Sequence, residues 1–160
     1  MIETLCEKYK IVDATAGPVT TNGGVVGRYV SLKNVNYAWL LLQFTNPAAF
    51  ATVITIQEAT AVAPVGAVTI TNTVEIWSNI LGSALSDTLI RRAAATTYTI
   101  AGANVRQTVL FGINPARLQP GFDVLGFLVA TGGGATSFVC GSYFLDYRYQ
   151  SETPPVAITD

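Results

Sequence analysis

The sequence contains no histidine and only two cysteines. Without imidazole, the catalytic triads and metal sites that depend on histidine are excluded. Cys6 and Cys140 lie far apart with no CxxC spacing, so a zinc site is not expected either. Cys140 lies in an apolar run and is interpreted as a buried free thiol. The sequence therefore predicts neither a metal nor any other cofactor.

Charged residues and long apolar runs are also scarce. Lys, Arg, Asp and Glu make up 12% of the chain, about half the usual ~25%, and the net charge is −1. The few basic residues are scattered, which argues against a nucleic-acid partner. The run "AWLLL" is far shorter than a membrane span, and "MIETLCEKYK" lacks the apolar core of a secretory signal. We therefore expect synthesis in a reducing cytoplasm, with no membrane partner.

The low charge is concentrated in one long segment. Between Asn36 and Ser86 the only charged residues are Glu58 and Glu75. Either threonine and other small polar residues cover the exposed faces, or part of the surface is buried in contacts with other subunits. Composition alone leaves both explanations open.

Most of the sequence has the pattern of short β-strands separated by turns. Two segments, Asn36–Phe44 and Phe122–Thr131, are apolar on both faces, as expected of strands that are covered on both sides. Asn36–Phe44 and the alternating segment Phe50–Ala59 are predicted to pair as antiparallel neighbours. Further strands are predicted at Val25–Leu32, Asn104–Ile113 and Phe138–Gln150.

This pattern predicts an all-β protein, an antiparallel β-sandwich in which a jelly roll is the favoured form. The best helical candidate, Asn114–Gly121, has an N-capping Asn followed by Pro and is one turn long at most. The predicted organisation is an N-terminal arm (1–21), a sandwich domain (22–150) and an extended tail (151–160). In the tail, Pro154 and Pro155 favour a polyproline-like conformation.

Two sets of residues allow a catalytic or a sugar-binding interpretation, and each also has a simpler one. Glu58 and Glu75 form a glycosidase-like pair only if their strands bring them together, and isolated acids at strand ends more often face solvent. We therefore predict that the protein is not an enzyme. The aromatic residues are compatible with a sugar-stacking platform, but such rows more often belong to a core or an interface. These residues are Trp39, Trp77, Tyr143, Tyr147 and Tyr149.

Three stretches carry a resemblance to a known family. They are "IQEATAVAPVGAVTI", "EIWSNILGSALSDTLIRRAAATTYTI" and "DYRYQSETPPVAITD", of which the closing RYQ…PP·AI pattern is the most specific. In this order they are similar to small virion proteins of tailed bacteriophages, described as cement, decoration or head-stabilising proteins. The resemblance runs from about residue 24 to the end, and nothing is carried over at Ser78–Ser86, which is poorer in acids than expected of relatives.

The resemblance implies a virion protein on the capsid surface, a trimeric β-sandwich subunit that binds the major capsid protein. The two termini and the last aromatic row are its predicted partner contacts. The residues nominated are Tyr9, Ile11, Tyr143, Tyr147, Tyr149, Pro154 and Pro155. Two alternatives remain open: another virion component, such as a tail or fibre-base subunit, and a carbohydrate-binding β-sandwich module.

Overall fold

The computed structural model describes residues 5–46, 51–79, 88–100, 105–130, 136–148 and 157–158. A four-residue helix, α1 (Leu5–Lys8), leads directly into the first strand. The strands are β1 (Tyr9–Asp13), β2 (Val19–Thr20), β3 (Val25–Val26), β4 (Val30–Ser31), β5 (Val35–Asn46), β6 (Thr52–Ala59), β7 (Val68–Thr69), β8 (Glu75–Ser78), β9 (Ile90–Arg91), β10 (Thr97–Ile100), β11 (Val105–Ile113), β12 (Val124–Val129) and β13 (Phe138–Tyr147).

The strands form two antiparallel sheets that pack face to face, so the predicted β-sandwich is confirmed. The seven-stranded sheet has the order β1-β13-β5-β11-β8-β9, with β2 on β13. The six-stranded sheet has the order β10-β6-β12-β3, with β4 on β12 and β7 on β6. The jelly-roll form stays a prediction. The orders β1-β13-β5-β11 and β3-β12-β6-β10 are compatible with it, because they pair the first strands of the chain with the last.

The core lies between the sheets and is built from alternate residues of the long strands. Tyr143, Leu40 and Phe111 are register neighbours on β13, β5 and β11, and each is fully buried. They face the second sheet, where the Phe127 ring lies 6.4 Å from that of Tyr143. Burying each such large apolar side chain contributes roughly 1.5–3 kcal/mol.

One predicted strand pairing is wrong. β5 pairs with β13 and β11, whereas β6 lies in the other sheet and pairs with β10, β12 and β7. The break after Asn46 therefore separates strands of different sheets instead of closing a hairpin. A hairpin and a sheet-to-sheet connection both need turn residues between two strands, so the local sequence does not distinguish them.

β12 is covered on both sides, as its apolar sequence predicts. Leu125, Phe127 and Val129 face the core, while the outer side is covered by Tyr29, whose ring lies over Gly126. A Cβ at Gly126 would lie 2.4 Å from that ring, so glycine is required for the close approach. The strand predicted at Val25–Leu32 is instead two short strands, β3 and β4, which both pair with β12. Tyr29 lies in the segment between them.

The separate N-terminal arm is a wrong prediction for the described part of 1–21. β1 pairs along all five residues with β13, β2 pairs with the start of β13, and Ala14 is fully buried. In β1 only Val12 packs against the core. A five-residue edge strand with a single core residue gives little periodic signal, and for that reason the sequence pattern missed it.

The C-terminal prediction needs a similar correction at Ala157. Its side chain is 1% exposed and belongs to the core cluster, and its carbonyl accepts a hydrogen bond from Ser31 N at 2.7 Å. This part of the predicted tail therefore packs on its own chain. Tyr149, Pro154 and Pro155 lie outside the described residues.

Candidate functional site

The outer face of the seven-stranded sheet, opposite the core, carries large apolar side chains. The strand register aligns Ile11, Phe144 and Trp39 in one row across β1, β13 and β5. The neighbouring rows add further rings and leucines from β5, β8 and β11. We call this surface the outer aromatic face; its members are Tyr9, Ile11, Tyr37, Trp39, Leu41, Trp77, Leu110 and Phe144. None of them is fully buried, and Ile11 is 43% exposed.

The rings at its centre touch one another. The centroids of Tyr37 and Trp39 are 4.6 Å apart, with the planes tilted by 45°. Tyr9 meets Trp39 edge to face, with centroids 5.4 Å apart. Such pairs contribute about 0.5–1.5 kcal/mol beyond the area they bury. The three rings therefore form a fixed array that spans β1, β13 and β5.

The array continues towards β8 across a glycine. A Cβ at Gly112 on β11 would lie 2.6 Å from Tyr37 Oη and 3.1 Å from the Trp77 ring. The absence of a side chain allows both aromatic residues to lie directly over the β11 backbone. At the far side of Trp77, the Arg91 guanidinium lies 6.0 Å from the ring centroid, at the outer limit of a cation–π contact.

A polar groove of about 290 Å³ opens beside these rings; we call it the Glu75 groove. The Tyr37 hydroxyl donates to Glu75 Oε2 at 3.0 Å, and Arg91 donates to Glu75 Oε1 at 2.9 Å. Arg117, on the short 3₁₀ helix Pro115–Arg117, donates to the Thr73 carbonyl at 3.1 Å. The groove thus places two guanidinium groups and one carboxylate around a tyrosine hydroxyl.

The hydrogen bond to Glu75 is reflected in the ionisation of Tyr37. Burial raises the pKa of the phenol, and the hydrogen bond and negative charge of Glu75 raise it further, to about 12. Arg117 and Arg91 act in the opposite direction. Tyr37 is therefore a neutral hydrogen-bond donor at physiological pH.

The 3₁₀ helix that carries Arg117 is the single helical turn that the sequence predicts at Asn114–Gly121. The Asn114 side chain caps it by accepting from Ala116 N at 2.9 Å. Asn114 and Arg117 both line the Glu75 groove. The predicted cap thus fixes one wall of the groove.

Two further grooves open at the other end of the same face. Their volumes are about 390 and 310 Å³, and both are lined by Gln43 and Cys140. Cys140 is a free thiol as expected, but it is partly exposed on the outer row, so its predicted burial is wrong. An apolar strand sequence does not reveal which of its faces is covered.

The predicted contact residues divide between the two sides of this sheet. Tyr9 and Ile11 lie on the outer aromatic face, where their role as partner contacts stays a prediction. Tyr143 is wrong as a contact residue, because it is fully buried and its hydroxyl donates to the Arg28 carbonyl at 2.9 Å. Burial also raises the pKa of Tyr143 well above its ordinary value. Tyr147 faces the same way and packs partly buried against the core.

The glycosidase-like pair is not formed. Glu58 on β6 is fully buried and accepts hydrogen bonds from the Gln119 backbone N–H at 3.0 Å and its side-chain amide at 2.6 Å. Glu75 instead lies on the outer face of the other sheet. Each carboxylate therefore has its own local partners.

Sequence reasoning named Trp39 and Trp77 for a platform but missed Tyr37, Leu41, Leu110 and Phe144. The segment Asn36–Phe44 was interpreted as covered on both sides, and this is wrong for its outer residues, which are partly exposed. Phe144 joins the face only through the pairing of β13 with β5. That pairing links residues about a hundred positions apart, and local periodicity does not encode it.

No group of three or more potential metal ligands occurs among the described residues. The helices of the described segments are all too short to cross a membrane. Comparison with models of protein families, with curated proteins and with solved structures finds no significant match to this chain.

Proposed function

We propose that this chain is a virion structural protein that binds the outside of a tailed-bacteriophage capsid and stabilises the shell, acting as a trimer. The observation that carries the proposal is the outer aromatic face, a broad surface of rings and aliphatic side chains that no described segment covers. The resemblance of the sequence to cement proteins supplies the kind of assembly. Surfaces of this type are typical of protein–protein contacts.

The size of this face suits a contact between two copies of the chain. Six strands spaced ~4.8 Å apart span roughly 24 Å, and the nine residues of β11 span roughly 30 Å. The resulting area of about 700 Å² is close to the ~800 Å² per partner of a standard interface. A second copy is therefore the occupant that we assign to the outer aromatic face.

A trimer requires a head-to-tail contact, in which the outer aromatic face of one copy lies against a different surface of the next copy. Contacts of this kind between identical subunits close into rings, and a trimer is one such ring.

The proposed mechanism is mechanical. A trimer that bridges neighbouring capsid subunits binds the intact lattice better than separated subunits, and this difference stabilises the shell by mass action. Each contact can be weak, because three linked sites bind together and many trimers bind one shell.

The test is co-sedimentation of the purified protein with shells of the phage that encodes it. We expect saturable binding and an increase in the temperature at which the shells release DNA. Binding to isolated tails would instead support the tail or fibre-base alternative. Absence of binding to both would overturn the assignment to the virion surface.

A carbohydrate-binding module is the second candidate. It is favoured by one observation, the Glu75 groove beside the rings of Tyr37 and Trp77.

A further inference from the structure

The Glu75 groove contains donors and acceptors that its own contacts leave unused. The Glu75 carboxylate has about four acceptor positions, of which Tyr37 and Arg91 occupy two. Arg117 has five N–H donors, of which the bond to the Thr73 carbonyl uses one. Arg91 also has N–H groups beyond the one that meets Glu75. The groove therefore offers alternating acceptors and donors within a small space.

The polar groups are held in place before any ligand arrives. Tyr37 is locked between Glu75 and Trp39, and Gly112 allows its ring to lie on the β11 backbone. Because Arg91 neutralises the Glu75 charge, this carboxylate accepts hydrogen bonds from neutral hydroxyl groups without requiring a cationic ligand. Preorganised groups of this kind lower the entropic cost of binding.

From this geometry we infer that the Glu75 groove binds a pyranose sugar of an oligosaccharide. Each sugar hydroxyl is both a donor and an acceptor, and this matches the alternation of guanidinium and carboxylate in the groove. The C–H face of a pyranose is attracted by the negative face of an aromatic ring, and Tyr37 is the aromatic residue that lines the groove. The inference names the ligand class of the second candidate function and does not rest on the cement role. Because Tyr37 belongs both to the groove and to the outer aromatic face, a bound sugar and a second copy of the chain would compete for it.

The size and backbone pairing of the groove favour a sugar over a peptide. Its volume of about 290 Å³ is at the lower end of the ~300–1,000 Å³ of small-molecule sites, so one end of a saccharide chain fits. An extended peptide is recognised mainly by free backbone groups of a strand edge. Of the strands that line the groove, β8 and β11 are paired on both sides, and the edge strand β9 is only two residues long.

Arg117 determines the expected preference among sugars. Its guanidinium has no carboxylate partner in the part of the chain that the structure describes. A sugar that carries a carboxylate would supply one, since charge-assisted bonds to arginine are the stronger kind. We therefore expect a uronic acid to bind more tightly than the corresponding neutral sugar.

The experiment measures binding of three probes to the full chain: maltotriose, chitotriose and tri-galacturonate. Saturation-transfer NMR detects contact, and isothermal titration gives the affinity. We expect at least one trisaccharide to bind, with tri-galacturonate the tightest. Arg117→Ala should weaken the binding of tri-galacturonate by about tenfold or more, the usual effect of losing a hydrogen bond to a charged group. Glu75→Gln should weaken the binding of the neutral trisaccharides by a similar factor, because their hydroxyl groups donate to the Glu75 carboxylate.

The matched control is Arg106→Ala. Arg106 is an exposed arginine on the same sheet, outside the residues that line the groove, and we expect its loss to leave sugar affinity unchanged. Absence of saturation transfer from all three probes would overturn the inference, as would binding that survives both groove variants. If an extended acidic peptide bound at the groove and none of the three sugars did, the groove would be assigned to a peptide instead.

These outcomes are separable from those of the cement proposal. A chain that binds sugar but sediments with no shell keeps the groove and loses the cement role. A chain that binds shells but none of the three sugars keeps the cement role and loses the groove as a sugar site.

Discussion

The outer faces of the two sheets differ in whether the chain itself covers them. The outer face of the six-stranded sheet is covered by its own chain, where Tyr29 lies over Gly126 and packs with Ala59, Val124 and the loop residues Val62 and Ala67. Beyond this cluster the face presents threonines, such as Thr55, Thr97 and Thr99, together with the exposed Val26 and the partly exposed Leu128 at the β3 side. The seven-stranded sheet presents the outer aromatic face, which no described segment covers.

This difference bears on both explanations for the low charge. On the six-stranded sheet, small polar residues and a cover from the chain itself account for most of the outer face. The seven-stranded sheet instead carries partly exposed rings and leucines, and aromatic side chains of this kind are enriched in interfaces. The assembly role proposed above rests on this second face.

Removing the cover from the six-stranded sheet should have the largest effect on stability. Tyr29 is 5% exposed and its hydroxyl donates to Gln57 Oε1. We expect Tyr29→Ala to lower the free energy of unfolding by about 3–5 kcal/mol, as for other buried aromatic residues. Urea denaturation of the wild type and the variant at the same protein concentration measures this.

Trp39→Ala is the matched change on the other sheet. Because Trp39 is only partly buried, we expect a loss of roughly 1–2 kcal/mol. Equal losses for the two variants would contradict the distinction between a covered and an uncovered face.

A methyl group added under each tyrosine sharpens the comparison. At Gly126 a Cβ would meet the side of the Tyr29 ring, so Gly126→Ala should cost about 1–3 kcal/mol through overpacking. At Gly112 the nearest atom is the hydroxyl of Tyr37, which opens on a groove and can move. Gly112→Ala should therefore cost less stability, measured in the same way, and should displace Tyr37 from Glu75. A larger cost at Gly112 than at Gly126 would show that the outer aromatic face is as tightly packed as the covered one.

Much of the architecture is readable from the sequence, and the limits have physical reasons. The alternation in Phe138–Gln150 correctly places Tyr143 and Leu145 on one face, and the double apolar pattern of β12 correctly predicts cover on both sides. The same pattern in β5 is misleading, because an apolar outer face looks identical whether the chain or a partner covers it. The outer aromatic face itself depends on long-range register, which no local pattern contains.

Alkaline pH should destabilise the wild type through Tyr37. The folded pKa is about 12 and the ordinary value is 10.0, so above about pH 10 the unfolded chain loses the phenolic proton first. The stabilising contribution is complete below pH 10 and is lost as the pH rises through 12. Tyr37→Phe should make the decline in unfolding free energy between about pH 10 and pH 12 shallower, although Tyr29, Tyr143 and Tyr147, whose pKa values are also raised, remain. An unchanged slope would contradict the burial and hydrogen bonding described for this phenol.

The smallest effect is expected at the ion pair of the groove. Arg91 and Glu75 lie 2.9 Å apart, but their side chains are 66% and 40% exposed. Exposed pairs contribute about 0–1 kcal/mol and are screened by salt. Arg91→Gln should therefore change the free energy of unfolding by less than ~1 kcal/mol, and the change should shrink in high salt. A larger, salt-independent loss would mean that the pair supports the fold instead of the groove.

The most direct test of the central claim is the solution mass of the wild type and of Ile11→Lys, measured by light scattering across a dilution series. Ile11 is 43% exposed on the edge strand β1, at one end of the outer row, so a lysine there should leave the fold intact while placing a charge in the contact. The account predicts a mass near three times 16.9 kDa for the wild type and 16.9 kDa for Ile11→Lys. A wild type that is monomeric at all concentrations, or a variant that still forms the trimer, would contradict the claim that the outer aromatic face joins copies of this chain.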